Sequence, residues 1–352
     1  MRLSNTFKLF FCFNVLLATS ACSQTYTTKI GGNIFNKFPH EQKVSSSKYL
    51  RINNFNTDGL LIYNDSLLII RTKAGDLSHH FATFSLKDSI FLDPLMPVGR
   101  QAGEVLAFLS YGLLGDSLWA FDAIKEDLIF VPISTMDSNR ATVIEKPFNS
   151  FYYDIQPLNR QRVLVSGDYD SDYKLQFANL EDRSLEGVIS YFTDEDYSPS
   201  RTDKMDYESF LFLKPSQDKC VFARRYADQI EIIDLSKKES IIINGPENFA
   251  PNLSRRMENY GEEISMRNAK TKYGFVKGKV TDNFIYLLFS GNNHQSSHMH
   301  FGKEIFVYDW NGNPVKKITL DDYIVDFAIT SNEETIYMFC PKTKSIEVAQ
   351  LK

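Results

Sequence analysis

Six times along this chain a polar turn leads into a short β-branched and aromatic run, a second polar turn, and then a run of alternating apolar and polar residues. The copies read NDSLLIIRTKAGDLSHHFATFSL, GDSLWAFDAIKEDLIFVPI and NRQRVLVSGDYDSDYKLQFANL, followed by SQDKCVFARRYADQIEIIDL, TDNFIYLLFSGNNHQSSHMHFGKEIFVYDW and NEETIYMFCPKTKSIEVAQL. The alternating runs end at Leu86, Ile133, Leu180, Leu235, Trp310 and Leu351, separated by 47, 47, 55, 75 and 41 residues. A unit of ~40–50 residues is the size of a four-stranded propeller blade, with two blades carrying insertions. In Gln229–Leu235, Ile230 and Ile232 share one strand face while Ile233 and Leu235 share the other, the period of a β-strand. The pattern therefore predicts an all-β, six-bladed propeller. Its last copy stops after a third strand at Leu351, so the ring is expected to close with an N-terminal strand, within Lys43–Ile52, that completes the last blade and covers its edge.

Composition agrees with a packed globular chain: 352 residues, 43% hydrophobic, 14% aromatic and 24% charged. Stacked blades bury both faces of each sheet, which accounts for the aromatic load. The net charge of -5, with no long basic run, argues against a nucleic-acid partner. Four cysteines form no disulfide framework, and Cys220 and Cys340, each inside an apolar run, are expected as buried free thiols.

The first 22 residues, MRLSNTFKLFFCFNVLLATSAC, have a basic start (Arg2, Lys8), an apolar stretch Leu9–Ala18 and the small residues Thr19, Ser20 and Ala21. That is a signal peptide, too short in its apolar part to span a bilayer. Cys22 follows directly and resembles the modified cysteine of a bacterial lipoprotein, with Thr19 departing from the usual aliphatic residue. The expected organisation is a signal peptide at 1–21, a lipidated linker at 22–42 and the propeller at 43–352. Removing 1–21 takes away Arg2 and Lys8 and leaves a formal charge of -7, so lipid, not electrostatics, would hold the chain on a membrane.

Three segments exceed the repeat: 193–209, 245–266 and the loop GNNHQSSHMHFG at 291–302. The spacing from second strand to third-strand end is 15 to 19 residues in five copies and 26 in the fifth. Hairpins between second and third strands open on the same propeller face as the connections between blades, so these segments should cluster there and carry binding. Within 245–266 a short helix is expected around Ser254–Ile264, with Ser254 as its cap.

The candidate side chains follow from that placement. His294, His298 and His300 could serve as three metal ligands, although an exposed polar loop of solvated histidines is the simpler reading, and no cofactor is expected. Neighbouring His79 and His80 point to opposite strand faces and do not chelate together. Arg100 and Glu104, flanking Gly103, suggest either recognition of a ligand charge or an ion pair between blades. Arg201, Lys204, Arg255 and Arg256 suggest a cationic patch for an anionic glycan or a partner's carboxylates. Tyr152 and Tyr153 suggest a stacking platform or core packing. Asp168, Asp170 and Asp172 form an acidic turn without the later Glu of an EF-hand. Linear nucleophile-elbow, HExxH, phosphate-loop and dinucleotide fingerprints are absent from the sequence.

With VYDWNGNPVKKITLD at 307–321, VGRQAGEVLAF at 98–108 and IYLLFSG at 285–291, the chain resembles the TolB-like six-bladed propeller lipoproteins of Gram-negative bacteria. DWNGNP is first of all a turn, with Asn311-Gly312 suited to type I′. The resemblance implies a fold and an address in the cell envelope, lipid-anchored at the outer membrane with the periplasmic side favoured. It implies no activity. The function expected is non-catalytic recognition or scaffolding, binding an envelope protein or extracellular ligand through the loop-rich face. The alternative is a glycan- or peptide-cleaving enzyme with a metal on the His-rich loop.

Overall fold

The computed structural model describes residues 25–27, 32–73, 78–137, 140–191, 199–258 and 261–351. Six antiparallel sheets stand around a central channel. The first blade is Thr57–Tyr63, Leu67–Thr72, His79–Ser85 and Ile90–Pro97, from the inside outward. The second is Phe108–Leu114, Ser117–Asp122, Asp127–Pro132 and Thr142–Ile144. The third is Asp154–Pro157, Arg162–Ser166, Tyr173–Asn179 and Leu185–Ser190. The fourth is Ser209–Leu213, Lys219–Arg224, Gln229–Asp234 and Glu239–Asn244. The fifth is Phe275–Val280, Phe284–Phe289, Gly302–Asp309 and Pro314–Ile324. The sixth is Phe327–Ile329, Thr335–Cys340 and Ser345–Gln350, completed by the N-terminal strand Ser47–Arg51. Each expected third-strand end lies one residue past the observed strand.

The apolar runs of the second strands are explained by the packing between blades. Leu68 and Ile70 join a cluster with Phe339 and Ile346 of the sixth blade, while Leu67 and Ile69 join one with Leu118 and Ile129 of the second. Alternate residues thus enter different interfaces, so a strand buried on both faces shows no polar positions. Six such clusters occupy the six blade interfaces. Each fully buried Leu or Ile contributes about 1.5–3 kcal/mol. Polar ties lock the inner strands into a ring: Ile155 N–H donates to Ser110 Oγ (3.2 Å), Leu211 N–H to Asp154 (2.9 Å) and Leu60 N–H to Asp326 (2.8 Å).

Closure follows the sequence pattern, with Ser47–Arg51 antiparallel to the last strand and Leu50 opposite Ile346. The N-terminal segment does more than close the ring. His40–Val44 adds a parallel strand outside Pro314–Ile324, and Asn33–Ile34 one outside Glu239–Asn244. Phe38 is buried against Phe306 and Tyr308, with ring centroids at 4.9 and 5.5 Å. Residues 33–42, read from sequence as linker, therefore form a strap over two sheet edges. The apolar pair Phe35 and Phe38 was its signal.

Two local expectations change. The segment expected as a helix at 254–264 is a hairpin, Asn252–Met257 paired with Glu263–Arg267, and Thr25–Thr27 pairs with its first strand. Leu253 and Arg255 fall on one strand face with Ser265 and Arg267 opposite them, a period of two. The turn after Asp309 is not type I′: Gly312 has a φ of +86°, while Asn311 keeps a negative φ. Gly312 N–H donates to the Asp309 carbonyl, and Asp309 Oδ1 accepts from the amides of Asn311 and Asn313. This is a type I turn closed by a left-handed glycine. Cys220 and Cys340 are free and buried. No helix among the described residues is long and apolar enough to cross a membrane.

Candidate functional site

The strand order dictates one face. In a four-stranded antiparallel blade the hairpin between second and third strands and the exit to the next blade lie at the same end. On that end the connections leaving blades three and four carry their own secondary structure, beside the long hairpin loop of blade five. Ser200 caps a short helix, Arg201–Met205, in a reciprocal capping box with Asp203. Ser200-x-x-Asp203 was the sequence signal for it. The helix packs on the 252–267 hairpin through Arg255, whose guanidinium reaches Asp206 (2.6 and 2.7 Å), Asp203 (3.1 Å) and Ser265. Ser265 Oγ in turn donates to Asp206 (2.7 Å).

Between these elements lies a cavity of about 480 Å³. Tyr153 and Tyr169 of blade three form one wall, Arg225 and Tyr226 of blade four a second, and Arg267 with His294 a third. Glu208 is bound by Arg225, whose guanidinium lies 5.4 Å from the Phe210 ring centroid. Burial, helped by the Glu208 charge, pushes the Tyr226 phenol up to about 12, so it remains a hydrogen-bond donor at neutral pH. The Arg267 guanidinium stands beside the phenols of Tyr226 and Tyr273. Tyr273 also contacts His294 Nδ1 at 3.1 Å. A second cavity of about 390 Å³ adjoins the first across Tyr153, Tyr169 and Met205 and reaches Asn149, Phe151 and Asp168.

A third cavity, about 320 Å³, occupies the central channel. Its charges are largely paired: Lys279 Nζ donates to Asp326 (3.1 Å) and the Leu60 carbonyl (2.7 Å), and Arg71 meets Asp58 at 3.3 Å. Burial pushes Asp154, which ties blades three and four, up to about 6. These groups hold the ring together.

The candidates named from sequence separate accordingly. Tyr153 is 45% exposed and lines both face cavities, while Tyr152 is 1% exposed and packs on Phe148 in the core between blades two and three. Arg201, Lys204, Arg255 and Arg256 do not form a free cationic patch. Arg201 pairs with Asp170, buried Lys204 donates to the Ser171 carbonyl (2.7 Å), Arg255 clamps the helix, and exposed Arg256 lies beside Met266 sulfur (3.8 Å). Cations on long connections are drawn to the nearest carboxylates, here largely those of the acidic hairpin and the helix. Arg100 is exposed and forms no ion pair among the described residues; Glu104 instead accepts from the Gln101 amide (2.8 Å).

The three loop histidines do not converge. His298 stacks on Tyr323 (4.3 Å), His300 meets the edge of Tyr273 (5.1 Å), and His294 lies over the same tyrosine (6.1 Å). No group of three or more His, Cys, Asp or Glu among the described residues is placed to hold a metal. The imidazoles follow the rings of Tyr273 and Tyr323, which overrides the suggestive spacing. His80 is likewise structural, bonded to the Val105 carbonyl at 2.8 Å. Cys22 and residues 192–198 of the first long connection lie outside the described residues. Arg225, Tyr226, Tyr169, Glu208 and Arg267 were missed from sequence, since nothing in their ordinary hairpin context marks them.

No curated protein matches the chain. Among solved structures, a protein described as exported from Bacteroides fragilis NCTC 9343 superposes with a TM-score of 0.56 at 12% identity, over 91% of this chain and 99% of that one. A member of the duf4221 family from Bacteroides vulgatus superposes with a TM-score of 0.52 at 10% identity, over 94% and 98% of the two chains. At such identities the likeness is one of fold. The family model described as TolB-like 6-blade propeller-like matches residues 35–332, and with six blades in a closed ring the chain belongs to this TolB-like six-bladed propeller family.

Proposed function

We propose that this protein is a non-catalytic recognition propeller of the bacterial cell envelope, tethered through a lipid on Cys22, that binds an envelope protein or extracellular ligand on its loop-rich face. The observation that carries the reading is the convergence of blades three, four and five on one tyrosine- and arginine-walled cavity. Concave, mostly preformed sites with a few fixed polar groups are where ligands bind. Family membership and the likeness to a protein described as exported support the envelope address, and the signal-peptide pattern of residues 1–21 directly before Cys22 supports the lipid.

The test is a crosslinked pull-down from intact envelopes, comparing the full chain with a variant shortened at 193–209, 245–266 and 291–302. The shortened chain is first shown to fold by its thermal transition. A partner lost on shortening supports the docking face; a partner that survives it places recognition elsewhere. Cys22→Ala should move the protein from the membrane to the soluble envelope fraction, and retention on the membrane would remove the lipid anchor.

A further inference from the structure

We infer that the ligand of this face is an acidic saccharide, its carboxylate taken by Arg267 and its ring faces by Tyr153 and Phe151. The inference rests on reading the face as a binding site and names the chemistry of what binds there.

The charges come first. Three charged side chains line the larger cavity: Arg225, Arg267 and Glu208. Glu208 is already held by Arg225, which leaves Arg267 without a carboxylate partner among the described residues. Its exposed guanidinium stands beside the Tyr226 and Tyr273 phenols and lines the cavity, with its five-donor fork available to a ligand. An unbalanced cation on a chain of net charge -5 calls for an anion, and a planar fork fits a carboxylate.

The aromatic surface comes second. Phe151 is 50% exposed and Tyr153 45%, packed edge to face at 5.3 Å, with Tyr169 behind Tyr153 at 5.6 Å. Exposed rings of this kind suit ligands with one apolar face and one wet edge. Asn149, Ser150 and Asp168 surround them in the adjoining cavity and offer donors and acceptors to hydroxyls. A cationic chamber thus continues into an aromatic chamber edged with small polar side chains, each of a volume suited to small ligands. A uronate in the first and a neutral or acidic sugar ring in the second satisfies both.

The experiment is titration calorimetry of the folded chain with trigalacturonate, with neutral galactotriose, and with an acidic peptide bearing a free C-terminal carboxylate. Trigalacturonate should bind, and Arg267→Gln should weaken it about tenfold or more, since a charge-assisted pair is removed. Tyr153→Ala should weaken it as well, and the neutral trisaccharide should bind more weakly than the acidic one. Equal binding of the two saccharides, or no effect of Arg267→Gln, overturns the assignment. Binding of the peptide alone overturns the saccharide and keeps the face. No binding by any probe overturns the saccharide too; the pull-down with shortened connections then decides separately whether the face itself stands.

Discussion

The two halves of the loop-bearing face solve the same problem differently. Between blades one and two the connection spans 98–107 and is held mainly by backbone: Val98 bridges Val105, and Lys125 Nζ caps the carbonyls of Gln101 (3.2 Å) and Glu104 (2.8 Å). Between blades three and four it spans 191–208, and between four and five 245–274, and both contain regular structure. A short connection lies on the ends of the sheets and needs little of its own. A long one rises off them and must build most of its own core. Here that core is ionic, Arg255 between Asp203 and Asp206, with Leu253 plugging into the cluster between blades five and six. The difference teaches where variation is admissible: the sheets are fixed by packing on both faces, and the connections are where a cavity can be made.

That contrast can be broken most severely at its buried charges. Arg255→Met takes the guanidinium from buried Asp206 and should cost about 3–5 kcal/mol in denaturant unfolding, or release the helix locally. Lys125→Met on the short-connection half should cost less, about 1.5–3 kcal/mol. Equal losses would end the distinction between the halves. Lys174→Met tests the junction of blades three and four, where Lys174 meets Glu231 at 2.6 and 2.8 Å and both are buried. Breaking it should also cost about 3–5 kcal/mol, and adding Glu231→Leu should restore most of the loss, because the penalty is an orphaned charge.

A smaller effect is expected from pH. Burial pushes Asp154 and Asp228 up to about 6, above the ordinary carboxylate value of 3.8. The folded chain then holds protons that the unfolded chain releases between those values. These two groups therefore add stability as pH falls through 6, an addition complete near 4 and absent above 7. The melting temperature should rise on acidification from pH 7 to 5, and Asp154→Asn and Asp228→Asn should each flatten that slope. The smallest change is His298→Ala, which removes the stack on Tyr323 and should cost about 0.5–1.5 kcal/mol. Zinc should leave the melting temperature of both forms unchanged; stabilisation of the parent alone would restore the metal reading of the loop.

Much of the scaffold was legible in the sequence, because a strand repeats its pattern every two residues and a blade every forty or fifty. Leu86, Ile133 and their counterparts mark the third strands to within one residue, and the enlarged segments were recognisable as departures from that spacing. The strap escaped notice because pairing on an outer edge buries little: of Asn33–Val44 mainly Phe38 and Val44 are deeply buried. The hairpin at 252–267 escaped because a polar segment such as NLSRRMENYGEEISM carries too few apolar residues to reveal a period.

By itself, then, the sequence determined the number and order of blades, the segment that closes the ring and the acidic charge, all of which are written in local pattern. The tertiary structure alone decided which side chains meet. It set Tyr152 in the core and Tyr153 in the cavity, bound Arg255 to the helix, kept the three histidines from converging, and brought Arg225, Tyr226 and Arg267 from blade four and the 252–267 hairpin to one opening. Local propensity governs the strands because their neighbours in space are also their repeats in sequence. The opening is made by residues far apart along the chain, and only the packing of blades three, four and five with their connections puts them side by side.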